Sequence, residues 1–132
     1  MDDHTSPHAA ALIRQGWETA HSITEHLDGL RDATPNTDEE AAPYDKYIPI
    51  NQQRIKRIRK SLAKQGVSPA LEAAVRGAKA GTKMLVLNEF WCGDGAQILP
   101  VHEALVHVSE GKLEVRVLMR DAHVEVMDLF LT

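Results

Sequence analysis

The sequence has a single cysteine, Cys92, among its 132 residues, and the lack of a second thiol excludes an internal disulfide. Aromatic residues make up only 5% of the chain, whereas apolar residues reach 43%, as in an ordinary globular core. No run approaches the roughly 20 apolar residues that cross a bilayer. The acidic start at Asp2 and Asp3 lacks the basic and apolar regions of a signal peptide. Together these absences predict a cytoplasmic protein with neither a disulfide scaffold nor a membrane span.

The chain also lacks an excess of positive charge, since its formal net charge is -4. One stretch, residues 51–65, nevertheless holds six basic residues and no acidic one: Arg54, Lys56, Arg57, Arg59, Lys60 and Lys64. A nucleic-acid site or an acidic partner is one interpretation. We favour a solvated helix face, because no aromatic side chain alternates with these charges as base stacking would require.

What the sequence does contain is an apolar, β-prone stretch, Met84 to Phe90, followed by a turn rich in glycine and then by apolar residues at helical spacing. This pattern predicts a strand that delivers Cys92 to the start of a helix. The unpaired N–H groups and the positive dipole end of a helix favour the thiolate, which is the nucleophilic form of cysteine. Cys92 is therefore the candidate catalytic residue; the alternative is a small buried residue without a chemical role.

Trp91, Cys92, Gly93 and Pro100 match the Trp-Cys-Gly-Pro-Cys motif and the later helix proline of the thioredoxin superfamily, which the sequence resembles here. The variant Trp-Cys-Gly-Asp, with Met119-Arg120-Asp121 after the next strand, resembles a group of bacterial thioredoxin-like proteins. The resemblance implies a thiol-disulfide oxidoreductase without a cofactor or a metal, with an external thiol or a protein disulfide as its partner. Trp91 and Gly93 would support the catalytic cysteine.

Two departures from the family motif change the expected chemistry. Asp94 replaces the proline, and Gly95 stands where the second, resolving cysteine would be. A single cysteine can still attack a disulfide, but an outside thiol must then release the mixed disulfide. A carboxylate at Asp94 also opposes the thiolate by like-charge repulsion. The sequence therefore predicts a monothiol oxidoreductase, with a non-catalytic thioredoxin-like interaction module as the alternative.

Other polar residues near the cysteine have less certain roles. Glu89 is either a proton acceptor with a raised pKa or, as we favour, an ordinary residue at the solvent end of the strand. The buried acid of the family would fall at Val86, so that role does not transfer. His102 and His107 are expected on the surface. Trp91 either shields the thiol or covers the core.

The first part of the chain is predicted as an amphipathic helix and an acidic linker. Ser6 and Pro7 suit a helix start, and one helical stripe then continues to Leu30: Ile13, Trp17, Ala20, Ile23, Leu27 and Leu30. Trp17 is expected to anchor the core, whereas His21 and His26, five residues apart, are expected to be solvated. Residues 33–43 are predicted to form a mobile linker, which separates residues 1–43 from a partial thioredoxin-like domain over 44–132.

Within that domain the sequence predicts an extended segment and two helices before the central strand. The extended segment is Tyr44–Ile50, and a helix with Asn51 as its N-cap runs to Gln65 and stops at Gly66. A second helix starts at Ser68 and Pro69 and ends at Gly81, with Leu71, Val75 and Ala78 directed inward.

After the cysteine helix, Leu113–Met119 alternates as a strand, which should pair in parallel with the first, and Asp121 is expected to cap a last helix. The predicted fold class is α/β, an incomplete thioredoxin-like βαβα core with an N-terminal helical extension. The resemblance implies a further cis-proline loop, hairpin and helix, so the chain is expected to be a fragment. With only two recognisable strands, exposed edges would favour poor stability or oligomers.

Overall fold

A computed structural model describes residues 6–131, and the predicted α/β class is confirmed there. The helices and strands of the described residues follow in the order α1 (Pro7–Thr19), β1 (His21–Ser22), α2 (Ile23–Asp32), α3 (Ile48–Gln65), α4 (Pro69–Arg76), β2 (Thr82–Asn88), α5 (Gly93–Val108), β3 (Leu113–Met119) and α6 (Val124–Met127). A short 3-10 helix at Asp45–Tyr47 precedes α3.

The strands form one sheet with the order β1-β3-β2. β2 and β3 are parallel, with Thr82 opposite Leu113 and Asn88 opposite Met119, and α5 connects them. The predicted strand-helix-strand unit is therefore confirmed, although β2 begins and ends two residues earlier than the predicted stretch. Because β2 and β3 are parallel, their carboxyl ends lie side by side, and the turn with the cysteine follows the carboxyl end of β2.

The single long helix predicted through Leu30 is wrong, because the chain turns between α1 and α2. His21 and Ser22 form β1, which pairs antiparallel with β3, so the expectation of only two strands is also wrong. Ser22 starts a new helix: its hydroxyl accepts from the Glu25 N–H at 3.1 Å, while the Glu25 carboxylate accepts from the Ser22 N–H at 3.4 Å. This reciprocal capping box and the strand pairing outweigh the continuous helical stripe.

One face of the sheet is covered by α1. A Cβ atom added at Gly16 would lie 3.1 Å from Leu118 Cδ2 and 3.6 Å from Leu85 Cδ2, so a larger residue here would require the Leu118 side chain to shift. The ring of Trp17 faces the Arg116 guanidinium at 4.4 Å, which makes it a cation-π partner at the rim of the interface rather than a fully buried anchor. The first helix thus supplies a cover for a face that the two-strand prediction leaves bare.

The other face packs against α2 and α5, on which α3 packs in turn, around an apolar core that includes Leu27, Leu30, Ile55 and Val117. Arg59 of α3 ties these helices together, since its guanidinium lies 2.9 Å from Asp28 Oδ1 and 2.7 Å from Glu103 Oε2. Its side chain is only 22% exposed. One of the six basic residues of α3 is therefore neutralised inside the molecule.

The segment before α3 is not extended, contrary to the prediction for Tyr44–Ile50. The 3-10 helix leads directly into α3, and Pro49 lies in the first turn of α3. Proline is tolerated there because its missing N–H would have no partner in the helix. Asn51 is therefore a fully buried residue of α3, not its N-cap. The predicted stop at Gly66 is confirmed, with a φ of 70°.

Two other helix boundaries also differ from the prediction. α4 starts at the predicted Ser68 cap, whose hydroxyl accepts from the Leu71 N–H at 3.2 Å, but it ends at Arg76 instead of Gly81. The Leu71 side chain is 39% exposed and so does not point into the core as expected. α6 has His123 rather than Asp121 at its N-cap position.

Candidate functional site

The site begins where β2 delivers Cys92 to α5. The Cys92 N–H donates to the Glu89 carbonyl at 3.1 Å and closes the turn, while the Cys92 carbonyl accepts from the Ala96 N–H at 3.2 Å. Cys92 is the N-cap residue of α5, with extended backbone angles, as predicted. Its thiol is free and partly buried. Cys92 therefore directly precedes the unpaired N–H groups of the 16-residue helix α5, although its side chain makes no capping hydrogen bond with them.

Trp91 precedes the thiol and contacts two side chains from other parts of the chain. Its ring is 4.8 Å from the ring of Tyr44, and the Arg120 guanidinium lies 5.9 Å from its centroid. Trp91 also packs against the apolar core. It therefore both covers the core and forms part of the surface beside the cysteine. Sequence reasoning did not find Tyr44, because nothing local relates it to the motif.

Two side chains of α3 contact the turn between β2 and α5. The buried Asn51 donates from Nδ2 to the Phe90 carbonyl at 3.0 Å, and Arg54 Nη1 donates to Asn51 Oδ1 at 3.0 Å. A Cβ atom added at Gly93 would lie 3.0 Å from Arg54 Nη1. Gly93 therefore leaves room for a guanidinium group next to the cysteine. Neither Asn51 nor Arg54 was predicted as a site residue, since the turn that they contact lies 39 residues beyond Asn51 in the sequence.

Behind the first turn of α5 is a buried polar pair. Asn88, at the end of β2, is 5% exposed, and its Nδ2 lies 2.9 Å from Nε2 of His26, which is 3% exposed. Burial, together with the nearby His21, lowers the pKa of His26 to about 4. His26 is therefore neutral at physiological pH, and its Nε2 accepts from Asn88. The expectation of a solvated His26 is wrong, whereas His21 is exposed as expected.

Gly95 lies against this polar pair. A Cβ atom added at Gly95 would lie only 2.0 Å from Asn88 Oδ1 and 2.7 Å from its Cγ, far inside van der Waals contact. Gly95 occupies the position of the resolving cysteine in the family motif. Because Asn88 already fills the adjacent space, this position has no room for a side chain.

A pair of carboxylic acids follows the ends of β2 and β3. Glu89 Oε2 is buried and has no hydrogen-bond partner among the described residues. Burial raises the pKa of Glu89, and the negative charge of Asp121 raises it further. These observations support the interpretation of Glu89 as a carboxyl group with a raised pKa, rather than as an ordinary residue at the solvent end of a strand.

The remaining candidates lie on α5. Asp94 is an exposed residue in the first turn, where the helix dipole stabilises a carboxylate. His102 Nδ1 is 3.1 Å from the Ile98 carbonyl of its own helix, and His107 is exposed. Among residues 6–131, no three His, Cys, Asp or Glu side chains come close enough together to hold a metal ion.

A parallel strand-helix-strand unit with a cysteine at the start of its helix defines a protein of the thioredoxin-like class. A family model described as Thioredoxin matches residues 37–132, and the chain belongs to this family. No curated protein matches the chain, and no solved structure matches it. Over the described range 6–131, none of the helices has the length and apolar character needed to cross a membrane.

Proposed function

We propose that the protein is a thioredoxin-like thiol-disulfide oxidoreductase that acts through Cys92 alone. The observation that carries this proposal is the position of the partly buried thiol, at the N-cap of a long helix directly after a parallel strand. In general the positive end of a helix dipole favours an anion in the first turn, and this supports a reactive thiol at the N-cap. Gly95 contributes no second thiol.

In the proposed reaction the Cys92 thiolate attacks one sulfur of a substrate disulfide. A bond forms between Cys92 Sγ and that sulfur, the substrate S–S bond breaks, and the other sulfur leaves as a thiolate that takes up a proton. An external thiolate such as glutathione then attacks the substrate sulfur of the mixed disulfide. Cys92 leaves as the thiolate and is regenerated, while the external thiol and the substrate become joined by a disulfide.

The neighbouring residues would have distinct supporting roles in this exchange. Trp91, together with Tyr44, would shield one side of the thiol from water. Gly93 would keep the Arg54 guanidinium close to the turn, while the exposed Asp94 carboxylate would oppose the thiolate. We place the reaction in the reducing environment of the cytoplasm, where an external thiol is abundant. The partner is such a thiol or a protein disulfide.

A second candidate function is a non-catalytic interaction module. Three exposed apolar residues lie near this part of the chain: Tyr44 beside Trp91 is 53% exposed, Ile50 in the first turn of α3 is 50% exposed, and Ile98 on α5 is 51% exposed. Such side chains favour contact with another protein. They would serve a protein disulfide substrate equally well, so only the reactivity of Cys92 separates the two functions.

The test is to incubate the reduced protein with oxidised glutathione and to measure the mixed disulfide by mass spectrometry. We expect one glutathione per chain, released again by added thiol. The Cys92→Ser variant should form no adduct, because the chain has no other thiol. A folded wild-type protein that forms no adduct would favour the interaction module.

A further inference from the structure

Positions 92 and 95 are three residues apart at the start of α5, a spacing that brings two side chains close together. Cys92 is the N-cap of α5, and Gly95 is its third helical residue. In a capping box the side chain at each of these two positions accepts a hydrogen bond from the backbone N–H of the other, so both side chains lie on the same side of the first turn. A cysteine at position 95 would therefore point towards Cys92 if the space were open.

That space is occupied by Asn88. The three atoms nearest to a Cβ at Gly95 all belong to the Asn88 amide, at 2.0 Å, 2.7 Å and 2.9 Å. No heavy atom can approach a Cβ this closely, so any side chain at position 95 must displace Asn88.

Asn88 cannot move away without loss. It is 5% exposed, and the Arg120 N–H donates to its backbone carbonyl at 3.2 Å, which fixes the end of β2. Its amide is bonded to His26, whose ring also packs against the Phe90 ring at a centroid distance of 5.2 Å. Displacing the amide would leave two buried polar groups unpaired, which is costly because neither can turn to water.

We propose that the buried Asn88–His26 pair determines the one-thiol character of this site by filling the space that a resolving cysteine would need. His26 holds the Asn88 amide in place, and Asn88 excludes every side chain from position 95. The inference deepens the proposed function, on which it rests, because a site without room for a second thiol leaves the mixed disulfide to an external thiol. Asn88 and His26 are thus positioning residues.

The direct test introduces the second cysteine with and without the obstacle. The variants are Gly95→Cys and the double variant Gly95→Cys with Asn88→Ala, each oxidised with diamide. Free thiols are counted in denaturant, and non-reducing electrophoresis excludes dimers. We expect the single variant to form its internal disulfide at least about tenfold more slowly than the double variant, since it must first break a buried hydrogen bond. Equal rates in the two variants would overturn the proposal.

A stability cycle tests the same obstacle without any thiol chemistry. Gly95→Ala is measured in urea unfolding in the wild-type background and in the Asn88→Ala background. We expect Gly95→Ala to lower the unfolding midpoint strongly with Asn88 present and little without it. Additive effects would contradict the steric role of Asn88. An unreactive wild-type Cys92 would instead overturn the proposed function and would leave this cycle unaffected.

Discussion

At the scale of single residues, the two glycines of the cysteine turn are required for different reasons. Gly93 leaves room for the Arg54 guanidinium, whereas Gly95 leaves room for the Asn88 amide. Neither has a positive φ angle, so the requirement is for space and not for backbone freedom. The Trp-Cys-Gly-Asp-Gly sequence is therefore matched to side chains from α3 and β2, which press against the first turn of α5.

Asp94 provides a residue-scale prediction about the thiol. Its carboxylate lies in the same helical turn as Cys92 and repels a negative charge there. The Asp94→Asn variant should therefore react faster with iodoacetamide at neutral pH. The control is Glu110→Gln, which removes an equal charge just beyond the other end of α5. Unchanged rates in the Asp94→Asn variant would show that the thiolate does not feel this carboxylate.

His26 makes stability depend on pH. Its pKa is about 4 in the folded protein, compared with 6.5 for an ordinary histidine. As the pH falls from about 6.5 towards 4, the unfolded chain binds a proton that the folded chain does not, so the free energy of unfolding should fall by up to about 3 kcal/mol. The measurement is urea unfolding at pH 7 and at pH 4.5.

The matched variant for this prediction is His26→Gln, which keeps a polar partner for Asn88 but does not titrate. It should lose clearly less stability than the wild type over the same pH range. If both proteins lose the same amount, the acid sensitivity comes from other groups, and His26 is not buried in its neutral form.

At the scale of helices and strands, the elements that could be predicted are those with local signals. The β2-α5-β3 unit was predicted because β2 contains a run of apolar residues, because apolar and polar residues alternate in β3, and because glycines mark the turns. The break between α1 and α2 was missed because the helical stripe continues across it, although Ser22 and Glu25 have the spacing of a capping box.

In the candidate site too, contacts between residues close in sequence could be predicted, whereas contacts between distant residues could not. The place of Cys92 at a helix start follows from adjacent residues and was predicted. Asn51 contacts a carbonyl 39 residues away, and His26 contacts an amide 62 residues away. Such pairs depend on how the helices pack against the sheet, and a single sequence carries no local sign of them.

The capping box gives a prediction for the start of α2. Ser22→Ala removes the acceptor for the Glu25 N–H and should lower the free energy of unfolding by about 1 kcal/mol. Ser61→Ala, at an exposed position inside α3, is the control and should have little effect. Equal effects in urea unfolding would mean that the cap does not determine where α2 begins.

At the scale of the whole molecule, helices cover both faces of the sheet, whereas its outer strands among the described residues, β1 and the longer β2, each have an open edge. α1 lies over the face around Leu118, which the two-strand prediction left exposed. β2 has a strand on one side only among the described residues, so the N–H and C=O groups of its outer edge have no sheet partner. The covered faces favour a stable monomer, whereas the exposed edge of β2 favours association of chains.

The open edge leads us to expect association of the 132-residue chain at high concentration. Light scattering should show a mass that rises with concentration. To test the role of the β2 edge, a charge is placed at the exposed edge residue Thr82. Leu85 is less suitable, because it also packs near Gly16, and Leu85→Lys would disturb that contact as well as the edge. Thr82→Lys should reduce the association, and a wild-type mass that stays monomeric at all concentrations would contradict the expectation.

If the fold makes Cys92 a reactive thiol, as we propose, the folded chain should react faster than the unfolded chain, and a comparison of the two tests this directly. The rate constant for reaction with oxidised glutathione is measured at pH 7 without and with urea, with a short cysteine peptide as the reference for the effect of urea itself. We expect folding to increase the rate several-fold, since only the folded chain places the thiol at a helix start. An equal or slower reaction of the folded protein would show that Cys92 is an ordinary buried cysteine and would contradict the proposed function.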